Sequence, residues 1–412
     1  MSYMQVMKKR DFTLFWLTQA ISQIANSFHL LALPLWVLSL TGSAFHTGFT
    51  TFLELITMMI FSPFIGVIID NLNRKILLVI SDFLRGGLVL LLLTVQSEQD
   101  IYIVYIVSVL MGLLTTVFNP TRIAAVQSIV GKEQWSHANS LLMLSFSISM
   151  ILGPIVGGGA IYVLGYKITF IVNAISFFIG SIGSLLIRKT LNSSTEKKKL
   201  KDITFIKDIK TGIVAIRNLK PIQNIIVSQF FVFLGTGANS VLFILVLKNY
   251  NISSQSIGFF MATQGIGMTL SSIIFPIIKN RAKNLQVFIN LCVIIMGITV
   301  SSFILLAIHN IVLGIIFILL FGIVHSFFNI SVQTAIQTFS DPQIIGRIAS
   351  TSQLVSRGAM ALSTFVCSLA SEWLNPIFLV VLGGVVLILS GIFLCIKVYI
   401  KDKQYTTETT II

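Results

Sequence analysis

The chain contains repeated, uninterrupted apolar runs, and these runs restrict its fold more than any other feature of the sequence. Each run has about twenty residues, which is enough to cross a hydrocarbon core roughly 30 Å thick. Only helices or closed barrels satisfy the backbone in lipid, and the runs lack the period-two alternation of strands. Because 55% of the residues are hydrophobic and 10% are charged, a soluble fold is excluded. The sequence therefore predicts an all-α membrane protein.

Twelve transmembrane helices are predicted from the positions of these runs. The first run follows Lys8, Lys9 and Arg10, but it is too long and too polar for a signal peptide, so we interpret it as the first span. The predicted spans are residues 12–39, 45–69, 76–95, 101–121, 138–164, 167–187, 222–247, 255–278, 284–307, 311–335, 349–371 and 374–397.

The basic residues predict which side of the membrane each loop faces. Of the 28 Lys and Arg residues, only Lys167 and Lys248 lie on the side of the odd-numbered loops. Because cytoplasmic loops carry the excess of basic residues, both termini are predicted to be cytoplasmic, in a cell (inner or plasma) membrane. The net charge of +14 then reflects orientation, and no nucleic-acid partner is expected.

A basic segment separates the first six predicted spans from the last six. Residues 188–220 contain ten basic and three acidic residues. We predict an N-terminal six-helix bundle at 1–187, a basic cytoplasmic linker at 188–220, and a C-terminal six-helix bundle with a cytoplasmic tail at 221–412. The linker is either a solvated segment or a basic amphipathic helix lying on anionic lipid, and both can be true.

The two groups of six spans resemble each other in sequence. A shift of 210 residues aligns Gln19 with Gln229, "GF" at 48–49 with "GF" at 258–259, and "FN" at 118–119 with "FN" at 328–329. We interpret these matches as a parallel repeat of six spans, which predicts two bundles related by a pseudo-two-fold axis.

Polar side chains in the first predicted span fall on one helix face, because their spacings fit 3.6 residues per turn. This stripe comprises Gln19, Ser22, Gln23, Asn26 and His29. It cannot face lipid, which leaves interhelical hydrogen bonds or a water-filled cavity.

Polar residues also recur at matching places in the two predicted bundles, which favours a central cavity lined by spans 1, 2, 4, 7, 8 and 10. The candidates for cavity and substrate contacts are Gln19, Gln23, Asn26, His29, Asn119, Gln229, Thr236, Asn239, Gln264, His325 and Asn329. Such side chains suit a large neutral or weakly cationic ligand better than a compact anion.

Glu54 is the only acidic residue well inside an apolar run, and it is our candidate for proton coupling. An unpaired ionised carboxylate there costs on the order of 3 kcal/mol or more, so burial favours reversible protonation. The alternative is a carboxylate that is permanently hydrogen-bonded to Gln23 or Asn26.

The chain has no nucleotide-binding P-loop, no Ser/His/Asp arrangement and no zinc-ligand spacing. We therefore expect no enzymatic activity, no cofactor and no metal. Energy for transport would come from an ion gradient or from the gradient of the substrate itself.

Two short stretches carry a family resemblance. "GVIIDNLNRK" at 66–75 resembles the loop 2–3 signature of the major facilitator superfamily through Gly66, Asp70, Arg74 and Lys75, while Asn71 replaces the usual base. "GPIVGG" at 153–158 is similar to the antiporter signature of that superfamily. The residues that match this signature are Gly153, Pro154, Gly157 and Gly158.

Further stretches resemble the branch that contains macrolide efflux proteins and the enterobactin exporter. These are "DFTLFWLTQAISQIANSFHLLALPL" at the first span, "LTGSAF", "SDFLRG" at 81–86, "FNPTRIAAVQSIVGKEQWSHANSL" at 118–141 and "GRIASTSQLVSRG" at 346–358. Members of that branch often carry an acid in span 1, where this chain has Asn26.

Charged residues near the cytoplasmic ends of the spans are interpreted as gate charges rather than substrate ligands. The resemblance implies that loop 2–3 holds the two bundles together in one state of the transport cycle, and a merely topogenic turn is the alternative. Asp82 and Arg85 are expected to pair locally. Arg357 has no acid within four residues, so it needs Asp82, Asp70 or a helix terminus as its partner.

The resemblance implies a secondary transporter, and we predict a proton-coupled exporter of amphipathic, macrolide-like drugs that confers antibiotic resistance by alternating access. The alternative is an exporter of an endogenous metabolite, siderophore or lysolipid. A receptor or scaffold would not explain the matched polar residues inside the spans. The expected partners are a small-molecule substrate, protons and the lipid bilayer, and a monomer is expected.

Overall fold

The computed structural model describes residues 3–189, 191, 213–214, 216–217, 219–279, 284–340 and 344–409. Within these ranges the side chains of residues 3, 63, 66–71, 132, 136, 276, 279 and 399–409 are not described. The described residues form helices, short 3-10 turns and connecting loops, and none of them is in a strand. The prediction of an all-α protein is therefore confirmed.

Fourteen α-helices of the described residues set the framework. They are α1 (Tyr3–Met7), α2 (Arg10–Thr41), α3 (Ala44–Asn71), α4 (Arg74–Leu91), α5 (Ile101–Ile129), α6 (Trp135–Leu164), α7 (Tyr166–Leu185), α8 (Lys220–Thr236), α9 (Asn239–Asn249), α10 (Ser254–Lys279), α11 (Leu285–Ala307), α12 (Ile311–Phe339), α13 (Ile345–Ala370) and α14 (Pro376–Thr409).

Eleven described segments are long and apolar enough to cross a membrane, where the sequence predicted twelve. The predicted span at 349–371 is the one that falls short. It lies within α13, a helix of 26 residues. Many Ser and Thr residues, together with Arg347 and Arg357, lower the hydropathy of α13, although its length of about 39 Å at 1.5 Å per residue would suffice.

Asparagine side chains begin three of the spanning helices. The Asn73 side chain accepts a hydrogen bond of 2.9 Å from the Lys75 amide at the start of α4. Asn284 and Asn310 cap α11 and α12 in the same way. An N-cap side chain satisfies amides that have no partner inside the helix, which matters most where lipid lies nearby.

The chain divides into two compact units. Unit 1 comprises Met1–Ile203 and Ile252–Ala262, and unit 2 comprises Thr204–Asn251 and Thr263–Ile412. Most of the predicted linker at 188–220 lies outside the described residues. The linker and its boundaries therefore stay a prediction.

The two units use the same pairs of packed helices. In unit 1, α2 packs against α6 and α7, α4 packs against α5 and α7, and α3 packs against α5. In unit 2, α8 packs against α13 and α14, and α11 packs against α12 and α14. A shift of 210 residues converts four of these five pairs of unit 1 into the pairs of unit 2, so the sequence repeat corresponds to a repeat of structure.

A small residue stands at the same helix crossing in each unit, with the two partners exchanged. In unit 1, Gly153 of α6 faces Ser27 of α2 so closely that a Cβ at residue 153 would lie 3.1 Å from the Ser27 hydroxyl. In unit 2, a Cβ at Gly237 would lie 2.9 Å from the Cα of Met360 on α13, and the Ser363 hydroxyl of the same helix accepts a hydrogen bond of 3.2 Å from the Ala238 amide. A glycine therefore permits the close approach of the two helices in each unit. It belongs to α6 in unit 1 and follows α8 in unit 2.

Candidate functional site

A buried ion pair lies at the centre of unit 1. Arg85 of α4 donates a hydrogen bond to Asp82 of the same helix, so the predicted local pair is present. The Asp82 side chain is 0% exposed and that of Arg85 is 8% exposed. Gln19 of α2 donates a second hydrogen bond, of 2.9 Å, to the other Asp82 carboxylate oxygen. The bond joins α2 to α4, so Gln19 has an interhelical role.

Two aromatic rings enclose the Arg85 guanidinium. Its central carbon lies 3.9 Å from the ring centroid of Phe118 on α5 and 4.6 Å from that of Phe177 on α7. A guanidinium over a ring face is attracted by the ring's negative face, and more strongly so where water is excluded. We call Gln19, Asp82, Arg85, Phe118 and Phe177 the ion-pair cluster. It draws residues from four helices of unit 1.

The sequence did not indicate Phe118 or Phe177 as parts of the site. Phe118 is 3% exposed and Phe177 is 1% exposed, as is usual for core phenylalanines. Arg85 and Phe177 lie on different helices, separated along the chain by α5 and α6, so no local pattern links them. The one available signal was that a buried arginine with a single acidic partner needs further favourable contacts.

Glu54 of α3 is half-buried, and its carboxylate has no hydrogen bond to any residue that the structure describes. The alternative bond to Gln23 or Asn26 is therefore not formed. Arg85 is the charged group that acts on Glu54 electrostatically. Glu54 thus stays available to a proton, to water or to a ligand.

A glycine holds the backbone at Glu54. Gly112 of α5 lies so close to α3 that a Cβ at residue 112 would be 2.6 Å from the Glu54 carbonyl oxygen. In unit 2, a Cβ at Gly322 of α12 would be 3.2 Å from the Cα of Gln264 on α10. The shift of 210 residues relates Glu54 to Gln264 and Gly112 to Gly322. In both units, therefore, a glycine of the neighbouring helix contacts the backbone of a residue with a half-buried carboxyl or amide side chain.

Replacing Gly112 with alanine should destabilise the protein, because the Glu54 backbone cannot move aside as a flexible side chain would. Overpacking of this kind costs about 1–3 kcal/mol. Gly87→Ala is the matched control, since a Cβ there meets nothing within 4 Å. We expect the midpoint of thermal unfolding in detergent to fall for Gly112→Ala and to stay level or rise for Gly87→Ala. Equal midpoints would show that α3 and α5 are not in close contact here.

The remaining polar residues of α2 divide into two environments. Gln23 and Asn26 are half-buried and form no side-chain hydrogen bond with the described part of the chain. His29 is 6% exposed, and its ring lies 5.8 Å from that of Phe170 in an edge-on arrangement. Of the two interpretations of the stripe, hydrogen bonding between helices applies to Gln19, whereas Gln23 and Asn26 remain free to meet water or ligand.

In unit 2, Gln229 of α8 repeats the interhelical role of Gln19. Its side-chain oxygen accepts a hydrogen bond of 2.5 Å from Ser352 of α13. Thr236 donates to the Val232 carbonyl oxygen at 2.7 Å, within its own helix. Asn239 is 6% exposed, and its amide nitrogen has no partner among the described residues.

The side chains of His325 and Asn329 lie next to each other on α12, one helical turn apart. The Asn329 amide nitrogen donates to the His325 carbonyl oxygen at 3.1 Å, which fixes the orientation of the amide, because a carbonyl only accepts. The same nitrogen lies 3.3 Å from Nε2 of His325, so Nε2 accepts and the neutral ring carries its proton on Nδ1. The ring stacks on Phe321 with centroids 5.7 Å apart. His325 therefore presents a donor at Nδ1, which no described residue satisfies.

Two candidates lie apart from these groups. Asn119 of α5 is exposed. Arg357 of α13 is half-buried and forms no ion pair with a described side chain. Its predicted partner Asp82 is bound to Arg85, and the Asp70 side chain lies outside the described residues.

The bases of the loop 2–3 stretch are anchored inside unit 1. Arg74 donates to the Ser128 hydroxyl of α5 at 3.0 Å, and the Lys75 ammonium donates to the Ile187 carbonyl oxygen, just after α7, at 2.8 Å. These bonds tie the start of α4 to the ends of two other helices. The side chains of residues 66–71 are not described, so the predicted pairing of Asp70 with Arg74 stays a prediction.

The glycines of the "GPIVGG" stretch are packing positions. A Cβ at Gly157 would lie 3.1 Å from the Cα of Phe28, so α6 approaches α2 closely there. A Cβ at Gly158 would lie 2.6 Å from the carbonyl oxygen of Ser254, at the start of α10 and within unit 1. Pro154 lies inside α6, and its carbonyl oxygen faces Gly258. The stretch therefore sets helix distances in unit 1.

Helices that repeat the same pairings in two units, with polar side chains inside the spans, have the architecture of a secondary transporter. The chain belongs to the Major Facilitator Superfamily, whose family model matches residues 15–364. It is thus a multi-pass membrane transporter rather than an enzyme. Among the described residues, no group of three or more His, Cys, Asp or Glu side chains could hold a metal ion.

Relatives of known name point to small-molecule transport. The chain is 22% identical to Macrolide efflux protein A of Streptococcus pyogenes over 384 residues, which are 92% of this chain and 94% of that protein. It is 22% identical to the Staphyloferrin A transporter of Staphylococcus aureus, over 85% of this chain and 86% of that protein.

Solved structures share the fold. The nucleoside transporter NupG superposes with a TM-score of 0.76 at 12% identity, covering 94% of this chain and 98% of that one. A bacterial homologue of the iron transporter ferroportin, in an inward-facing state, superposes with a TM-score of 0.72 at 17% identity, with the same coverage.

Proposed function

We propose that this transporter is a proton-coupled exporter of large amphipathic compounds of the macrolide type, working by alternating access. The observation that carries the proposal is Glu54. It is a half-buried carboxylate inside a span, without a hydrogen bond from the described residues, and Gly112 holds its backbone in place. A carboxyl group in this setting gains and loses a proton as water or a cationic ligand reaches it.

The proposed substrate class follows from the side chains that accompany Glu54. Gln23 and Asn26, in the same unit as Glu54, are half-buried neutral amides whose side chains form no hydrogen bond with the described residues. Such groups suit the many hydroxyl, ether and carbonyl oxygens of a macrolide better than a compact anion. The resemblance to Macrolide efflux protein A supports the same class.

The second candidate function is export of an endogenous metabolite, siderophore or lysolipid. The resemblance to the Staphyloferrin A transporter favours it, with a coverage nearly as large as that of the macrolide relative. Neutral amides and an imidazole would also bind the carbonyl and hydroxyl groups of such compounds.

Several parts of the proposal concern the protein as a whole. Both termini are cytoplasmic in a cell membrane, and the protein works as a monomer. The gate charges of the cycle are Asp70, Arg74, Lys75, Asp82, Arg85 and Arg357. The anchoring of Arg74 and Lys75 at two helix ends supports this, because it transmits movement of the loop to α5 and α7.

Cells that express the protein should accumulate less labelled macrolide than cells with an empty vector, because export lowers the steady-state level. A protonophore should remove the difference, since no other energy source is proposed. Efflux that persists after collapse of the proton gradient would contradict proton coupling. Export of a hydroxamate or citrate siderophore or of a lysolipid, without export of macrolide, would favour the second candidate.

A further inference from the structure

The interface of α2 and α7 in unit 1 contains buried polar atoms that no described residue satisfies. We define the α2–α7 seam by Gln19 and His29 of α2 and by Asn173, Gly180 and Ser184 of α7. Asn173 and Ser184 are both 0% exposed. Neither amide atom of Asn173 has a hydrogen-bond partner in the described chain, and the Ser184 hydroxyl and His29 Nδ1 have none either. Buried polar groups are otherwise nearly always paired, so these four atoms require an explanation.

The unsatisfied groups of α7 lie on one helix face, on either side of the ion-pair cluster. Asn173, Gly180 and Ser184 are spaced by seven and then four residues, which brings them to the same side of the helix. A Cβ at Gly180 would lie 2.8 Å from Oδ2 of Asp82 and 3.2 Å from Nε2 of Gln19, so this face looks onto the bond between them. At 1.5 Å per residue, Asn173 lies about 10 Å along the axis on one side and Ser184 about 6 Å on the other.

His29 continues the seam beyond Asn173. Its ring lies 5.8 Å from that of Phe170, which precedes Asn173 by one helical turn. Since Nδ1 of His29 is buried and unsatisfied, polar groups follow one another from His29 past Asn173 to the ion pair.

The repeated fold does not require a polar seam at this interface. In unit 2 the counterpart of Asn173 is Gly383 of α14, and a Cβ there would lie 3.4 Å from the carbonyl carbon of Gly235 on α8. The counterparts of Asp82 and Ser184 are Cys292 and Leu394. Around Gly383 the same pair of helices is therefore closed by backbone contact in unit 2, whereas the counterparts of His29 and Gly180, which are Asn239 and Ser390, are polar.

We propose that the α2–α7 seam binds a short file of water molecules that satisfies His29, Asn173 and Ser184 and reaches the Asp82 carboxylate. Water both donates and accepts, as the amide of Asn173 and the hydroxyl of Ser184 require. An ion fits less well, because Asp82 and Arg85 neutralise each other. About three molecules at ordinary hydrogen-bond spacing cover the rise of about 10 Å along α7 from Asn173 to Gly180, which faces the Asp82 carboxylate.

The file gives protons a route to Asp82 that is separate from Glu54. The charged groups that act on Asp82 are Arg85, on its own helix, and Arg122 of α5. The proposal concerns hydration inside unit 1, so it does not depend on which substrate the transporter carries.

Thiol reactivity tests the seam directly. In a protein whose Cys292, Cys367 and Cys395 are replaced by alanine, Asn173→Cys is treated with methyl methanethiosulfonate, and modification is followed by mass spectrometry. Ala174→Cys is the matched control, because Ala174 is also 0% exposed but lies off the seam face. The reactive species is the thiolate, which forms where water solvates it, so we expect Asn173→Cys to react at least about tenfold faster than Ala174→Cys.

Ser184→Cys is the second variant, since it exchanges a hydroxyl for a thiol with little change of shape. It should also react faster than Ala174→Cys, and Ser97→Cys, at an exposed position, sets the upper limit of the rate. Variants are compared only when they elute as a single folded species. If Asn173→Cys does not fold, Ser184→Cys decides. The proposal would be overturned if Ser184→Cys reacted no faster than Ala174→Cys, and if Asn173→Cys, where its rate can be measured, also reacted no faster.

Discussion

Arg85→Leu should greatly reduce the amount of folded protein, because it leaves the Asp82 carboxylate buried without its counter-charge. Asp82 is 0% exposed, and after the substitution Gln19 would be the one described side chain that still donates to it. Removing one partner of a buried ion pair costs about 3–5 kcal/mol, a large share of the stability of a typical protein. The measurement is the yield of monodisperse protein in detergent, together with the midpoint of its thermal unfolding.

Two further variants separate charge burial from loss of an arginine in general. Asp82→Asn combined with Arg85→Leu removes both charges, and an asparagine still accepts from Gln19, so the double variant should recover most of the loss. Arg357→Leu removes a half-buried arginine that has no ion pair with a described side chain. It should change stability little. A double variant less stable than Arg85→Leu would contradict the assignment of the cost to Asp82.

The helical framework was predictable because each span is specified locally. An apolar run of about twenty residues becomes a helix in lipid whatever surrounds it. The helix α13 differs from the other spans, because its Ser and Thr residues lower its hydropathy. Neighbouring helices must supply hydrogen-bond partners for these hydroxyl groups. Ser352 of α13 shows this, because its hydroxyl donates to Gln229 of α8.

The internal repeat allowed one part of the site to be predicted in advance. The shift of 210 residues pairs Glu54 with Gln264 from sequence alone, and the glycine contact at each position, which the sequence did not indicate, agrees with that pairing. An internal repeat gives two sequences for one helix pair. Both sequences must fit the same geometry, so each one restricts the interpretation of the other.

The partners of the buried polar groups could not be predicted. Gln19 lies on the same stripe as Gln23, and only the structure shows that Gln19 of α2 is bound to Asp82 of α4 while Gln23 has no described partner. Pairing between helices distant in sequence depends on rotation and depth of each helix. A helical wheel predicts the rotation of a helix approximately, but it does not predict the depth of the helix in the membrane.

Glu54→Gln should abolish transport driven by a pH gradient while leaving folding and substrate binding intact. The amide keeps the volume and the hydrogen-bonding ability of the carboxylic acid, but it cannot exchange a proton. The chain itself shows that an amide is accepted in this geometry, because Gln264 occupies the equivalent position beside Gly322. The Gly112 contact involves only the backbone of residue 54 and is therefore unchanged by the substitution.

The measurement is accumulation of the transported compound in proteoliposomes under an imposed pH gradient, with binding to the purified protein followed in parallel. Uphill accumulation by Glu54→Gln should fall to that of empty liposomes, because a difference in proton concentration does no work on a group that cannot titrate. Glu98→Gln is the matched control, because it makes the same chemical change at a side chain that is 61% exposed, in the 3-10 turn that precedes α5. It should transport like the parent protein. If Glu54→Gln still accumulates substrate against its gradient, the carboxylate does not carry the coupling proton, and Asp82, at the other polar centre of unit 1, becomes the acid to examine.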